Sequence, residues 1–191
     1  MKKALLISIF ALLAAVCFGQ EAAHLKFKGI PLDGNYKAFA QKLVQKGFKQ
    51  IDVTDDAIVM KGSFMAKPDV KVVITPDPAT KTVSVVSAMI DAGDGWGNIE
   101  NRYYRVVDIY TEKYGEPTEH AEEFNRDVYG DDYLREDALQ DGQCNYHSQW
   151  EIEGGRIVIY LMYFDSHSYV VCSYADDVNV QALRQTILDD I

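Results

Sequence analysis

The stretch from Gln143 to Asp177 constrains this chain most. It reads CNYHSQWEIE, then GG, then RIVIYLMYF, then DSHS, then YVVCSYADD. Three runs rich in β-branched and aromatic residues, separated by two tight turn signals, predict an antiparallel meander. Taking Gly154-Gly155 as a two-residue turn and residues 165–168 as a four-residue one sets the pairing. Ile152 then lies opposite Ile157, Trp150 opposite Ile159, Tyr163 opposite Val170 and Leu161 opposite Cys172. Side chains alternate faces with a period of two. One face becomes Tyr146, Trp150, Ile152, Ile157, Ile159, Leu161, Tyr163, Val170, Cys172 and Tyr174, which is a core face.

The other face carries Asn145, His147, Gln149 and Glu151 on the first strand, Val158, Tyr160, Met162 and Phe164 on the second, and Tyr169, Val171 and Ser173 on the third. A solvated face does not normally hold so many large apolar side chains. Two readings follow. Another element covers this face, or the face is an aromatic patch that grips a partner through His147, Gln149, Tyr160, Met162, Phe164 and Tyr169.

Upstream, residues 24–29 read as a short extended lead-in, broken by Pro31 and Asp33-Gly34. Tyr36, Phe39, Ala40, Leu43 and Val44 recur at helical spacing, with Asp33 or Asn35 as cap and Gly47 as stop. Strands are predicted over 48–53 and 57–65, the second with a possible bulge at Gly62. A hairpin over 70–75 and 82–90 puts Val70, Val72, Ile74, Val83 and Val85 on one face. Residues 91–97 (DAGDGWG) read as a flexible acidic loop. A second helix follows, with Ile99, Tyr103, Val106, Val107, Tyr110 and Tyr114 as its buried stripe and Asn98 as its cap. Residues 118–126 read as a short helix and 127–142 as a long loop. Residues 179–191 close the chain as a helix, with Val180, Leu183, Ile187 and Ile191 inward.

The order helix, strands, helix, strands, helix, with short turns between consecutive strands, predicts an α+β fold. Two helix-plus-antiparallel-meander halves, about 25–92 and 96–191, form one compact unit with a C-terminal helix. The pattern is that of a structural repeat of four strands and then three.

The N-terminus predicts export. Lys2-Lys3 precede an apolar run over 4–18, too short to span a bilayer, and Gly19-Gln20 marks a cleavage point. Residues 1–19 are then a signal peptide, 20–191 the mature domain, and the destination the periplasm or the exterior. Cys17 raises lipid anchoring, but Val16 fits poorly as the residue before a lipidated Cys. No later stretch is apolar enough to span.

The chain carries 19 basic and 29 acidic residues, a net of −10. Such a field repels nucleic acid and anionic membrane surfaces. The two cysteines of the mature chain, Cys144 and Cys172, suit a disulfide by compartment. The meander sets them two strands apart, ~10 Å across, and ~13 Å along the strands, beyond a bridge's reach. A fold-back at Cys144 would restore it.

Several strings carry a resemblance. FKGIPLDG leads to a helix ending in KGF (Phe27 to Phe48). YGEPTE spans Tyr114 to Glu119, CNYHSQW spans Cys144 to Trp150, and YADDVN spans Tyr174 to Asn179. Together they resemble uncharacterised small secreted proteins of gut-type anaerobic bacteria, a likeness that brings no functional residues with it. The repeated helix-plus-meander order is similar to β-lactamase-inhibitor-protein-like folds. That architecture implies a sheet face that binds a partner protein.

Catalytic signatures are missing. His24, His120, His147 and His167 stand in no zinc pattern, and there is no G-x-S-x-G, P-loop or dinucleotide glycine motif. Asp91, Asp94, Asn98 and Glu100 offer oxygen ligands for Ca²⁺ but lack EF-hand spacing. Asp127, Asp131, Asp132, Glu136 and Asp137 cluster acidic groups in a predicted loop, a poor frame for a glycosidase carboxylate pair. The sequence therefore predicts a cofactor-free exported binding module for a protein or peptide. A glycan-binding envelope protein that stacks sugar on Trp96 is the alternative. A hydrolase using the loop carboxylates with His120 or His147 is the third reading.

Overall fold

A computed structural model describes residues 23–125 and 131–179, together with Leu188. The predicted signal segment, Cys17, Asp127 and the inner residues of the closing helix (Val180, Leu183, Ile187, Ile191) lie outside the described residues. Residues 177–179 and Leu188 are helical. No described helix is long and apolar enough to cross a membrane.

The chain starts with a two-residue hairpin, β1 (Lys26–Phe27) and β2 (Ile30–Pro31). Its turn residues Lys28 and Gly29 both have positive φ, 54° and 78°. Helix α1 (Tyr36–Gln45) follows, capped by the Asn35 side chain, which accepts from the Lys37 amide. Its apolar stripe buries Tyr36, Phe39, Ala40 and Leu43 against β4 and β5. Strands β3 (Lys49–Val53), β4 (Ile58–Phe64), β5 (Lys67–Pro76) and β6 (Val83–Asp91) complete the first half.

The second half opens with α2 (Trp96–Tyr114), followed by β7 (Glu119–Phe124), α3 (Asp132–Gln140), β8 (Cys144–Ile152), β9 (Gly155–Phe164) and β10 (His167–Asp176). The fold is α+β, as the sequence predicts. The eight larger strands form one open antiparallel sheet in the order β3-β4-β5-β6-β10-β9-β8-β7. Each half supplies four consecutive strands, and the halves meet where β6 pairs with β10. Helices α1, α2 and α3 pack on one face. The core there is continuous across the seam. Phe27 stacks on Phe64 at 5.3 Å and meets Tyr174 edge-on at 5.2 Å.

Five expectations need correction. Residues 118–126 form strand β7, not a helix, so the second half holds four strands and the repeat is more regular than predicted. Residues 127–142 are not one long loop. Asp131 caps α3 by accepting from the Tyr133 and Leu134 amides, and Gly142, at φ 68°, follows its end. Val85 does not face the core, because a bulge before Pro76 shifts the β5–β6 register and leaves Val83 and Val86 inside. Asn98 is not the cap of α2. Gly95 holds that position, and the Asn98 side chain donates to the Asp94 carbonyl.

The fifth correction concerns the meander turns. Ile152 pairs with Gly155, Trp150 with Ile157, and Tyr163 with Ser168. Both turns are thus two residues long, Glu153-Gly154 and Asp165-Ser166, the latter with φ of 51° and 62° as a type I′ hairpin requires. Each register differs from the predicted one by two residues. A shift of two preserves the faces, so the core face holds as read. Cys172 still reaches Ser148 through Ile159, and Cys144 and Cys172 are both free thiols.

Candidate functional site

The side of the sheet opposite the helices carries a cluster of its own. Met89 on β6 and Tyr169 and Val171 on β10 form its buried centre, and Val73, Tyr160 and Met162 pack around them. Pairing builds it directly. Val171 lies between Met89 and Tyr160, and Tyr160 lies beside His147. Tyr169 lies between Asp91 and Met162. No described helix contributes to this cluster. Val171 is only 1% exposed because its neighbours' side chains enclose it.

The six residues predicted as a contact set all fall on this face. Tyr160, Met162, His147 and Gln149 are half-buried, and Phe164 is 58% exposed beside the Asp165-Ser166 turn. Tyr169 is 6% exposed, with its ring between the Lys71 ammonium at 5.9 Å and His167 at 6.2 Å. Burial raises the Tyr160 hydroxyl above the ordinary tyrosine pKa, with a smaller contribution from Cys172. Toward β7 the face becomes polar. His147 Nε2 lies 3.4 Å from Glu119, its Nδ1 lies 3.0 Å from Asn145 Oδ1, and Gln149 donates to Glu151 at 2.9 Å. Toward β5 it becomes basic through Lys71 and, beyond it, Lys61. Chemically this is an apolar strip between an acidic and a basic margin, with no nucleophile in it. Met89 escaped the sequence reading because the β6 bulge resets the alternation.

Trp96 is not available for sugar stacking. It is the first residue of α2, 1% exposed, with Phe124 and Tyr146 edge-on at 5.2 Å each. The three glycines around it suggested a loop, but helix α2 starts there and the indole fills the core beneath.

The calcium candidates are dispersed. Asp91 accepts from the Gly93 amide, Asn98 donates to a backbone carbonyl, and Glu100 accepts from the Tyr146 hydroxyl. No group of three potential metal ligands occurs among the described residues. The acidic residues of α3 have structural partners. Asp131 caps the helix, Asp132 pairs with Arg135, and Glu136 accepts from the Gly95 amide.

On the helix side, one chain of hydrogen bonds has the outline of a nucleophile and its base. Ser148 Oγ lies 2.8 Å from His120 Nδ1, and His120 Nε2 lies 3.1 Å from Glu122. The Tyr103 hydroxyl also bonds Ser148, and Tyr104 donates to Glu122. Ser148 is fully buried under α2. A nucleophile needs an approach path and donors for the oxyanion. Ser148 is shut in by its neighbours, and its bonds to His120 and Tyr103 tie β7, β8 and α2 together. Burial pushes the Tyr103 hydroxyl up to about 12, against the lowering effect of its bond to Ser148.

No family model, no curated protein and no solved structure matches this chain, so its function is read from this geometry alone.

Proposed function

We propose that this chain is an exported binding module that contacts a protein or peptide through the sheet face opposite its helices. The observation that carries this reading is the apolar strip of Tyr160, Met162 and Phe164 against the Met89–Tyr169–Val171 cluster, to which no described helix contributes. Contiguous apolar patches rimmed by polar residues mark interaction surfaces, and aromatic anchors at their centre supply most of the binding energy. The acidic margin at Glu119 and the basic margin at Lys71 would orient the partner rather than add much affinity. Export rests on the Lys2-Lys3 and apolar N-terminal pattern.

The test places a photo-crosslinking side chain at Phe164 and, in parallel, at exposed Ile51 on the edge strand. Crosslinking of one defined protein from the native envelope at Phe164, absent at Ile51 and abolished by Met162→Asp, is the expected result. Identical products at both positions would defeat the reading.

A further inference from the structure

A cleft of about 580 Å³ opens on the helix side of the sheet, away from the strip described above. Its apolar wall comes from Leu25, Phe64, Met65, Ile109, Tyr114 and Ile152. They derive from four separated parts of the chain: the N-terminal lead, the β4–β5 turn, the last turns of α2 and the end of β8. The Tyr110 and Tyr174 hydroxyls also border it, and each is satisfied by the other. Ile109 stands 51% exposed there, an apolar side chain on a helix with no described partner above it.

The charge around the cleft is opposite to that of the whole protein. Lys26, Lys28 and Lys113 all line it and are exposed. Glu153 is the one carboxylate among its described lining residues. The left-handed Lys28-Gly29 turn puts Lys28 at the tip of the β1–β2 hairpin, and Lys113 Nζ sits 4.7 Å above the Tyr114 ring. His24 is also present, but its Nδ1 is held by Asp176 at 3.2 Å. Lysine stems line apolar walls while their ammonium groups reach water. In a chain of net charge −10, three lysines and one carboxylate around an apolar hollow are a local reversal of sign.

We infer that this cleft binds an amphipathic organic anion, with a single apolar chain along Ile109, Tyr114 and Phe64 and an acidic head at Lys26, Lys28 and Lys113. Its volume falls in the range of small-ligand sites, and a few polar groups around an apolar hollow are their usual lining. The head is a free carboxylate or the phosphate of a single-chain lipid, since lysine ammonium groups donate to either.

Displacement of anilinonaphthalene sulfonate from the mature chain tests this, with dodecanoate, a dodecyl lysophosphatidate and neutral dodecanol as competitors. Saturable one-site displacement by either anion, with dodecanol weaker by about tenfold, is expected. Lys28→Glu/Lys113→Glu should weaken the anions by about tenfold, because both side chains are exposed and the fold survives their reversal. Ile109→Trp, which fills the hollow, should abolish displacement, while Phe164→Asp on the opposite sheet face should leave it unchanged. Equal displacement by dodecanol, uptake without saturation, or wild-type affinity in the lysine double variant would overturn the site. The sheet-face reading stands or falls separately on the Phe164 crosslink.

Discussion

Asp176 is fully buried at the end of β10, and its carboxylate is shared by three residues from two parts of the chain. It accepts from the Leu25 amide at 2.9 Å and from the Asn179 amide at 3.0 Å, and it faces His24. One side chain thus ties the N-terminal lead and the start of the closing helix to the sheet. Asp176→Ala leaves buried donors without partners, so thermal melting should show a loss of about 2–4 kcal/mol. Asp176→Asn retains one acceptor and should lose less. A wild-type melting temperature in the alanine variant would show that Asp176 is no clamp.

Titration is another residue-scale property. Burial pushes the Tyr103 hydroxyl and the Cys144 and Cys172 thiols each up to about 12, against ordinary values of 10 and 9. Burial also raises Tyr110 and Tyr174, beyond the usual tyrosine range. These groups are neutral when protonated and cost free energy when ionised inside. Their contribution to stability is complete below the unfolded values and is lost as pH rises through the folded ones. The protein should therefore hold its fold to about pH 10 and unfold between roughly 10 and 12. Part of the phenolate absorbance, together with reactivity of the fully buried Cys172 thiol toward a disulfide reagent, should appear only in step with the loss of structure. Modification of Cys172 in the native protein at neutral pH would contradict this.

At the scale of elements, what could be read from sequence depended on period. The meander faces were legible because an error of two residues in each turn leaves every side chain on its own side. The face of Val85 was not, because a bulge moves the alternation by one. Strand β7 reads EHAEEF, and only its partner β8 gives it a strand's conformation. Helix α3 buries just Ala138 and Leu139, too few positions to show a helical period. Gly62 was readable as a break but not for its reason. A Cβ there would lie 2.4 Å from the Phe48 ring, which fills the space above it. The candidate strip was legible residue by residue from His147 to Tyr169. Its centre at Met89 was not, since the β6 bulge turns Met89 to this face and its partner Val171 lies in the other half.

The whole molecule is two four-strand halves joined along one ladder. Ser87 and Ser173, 86 positions apart, hydrogen-bond across it at 3.1 Å, and the helix-side core runs beneath without a break. Charge lies on both outer edges: β3 carries Lys49 and Asp52, and β7 carries Glu119, Glu122 and Glu123. The inner edges have no such protection.

The seam makes each half a binding partner of the other, held near by the short segment between β6 and α2. That tether sets an effective concentration of order millimolar for an association that would otherwise depend on dilution. Cleavage after Gly93 should convert folding into a bimolecular reaction. The fragment 23–93 and its complement should each show little structure alone and recover the native circular dichroism only when mixed, with a midpoint that moves with concentration. Two fragments that each fold as stable monomers would mean that the halves need no seam. The residues between Asp91 and Gly95 then act less as a loop than as a concentration device, and lengthening them should lower stability only slowly.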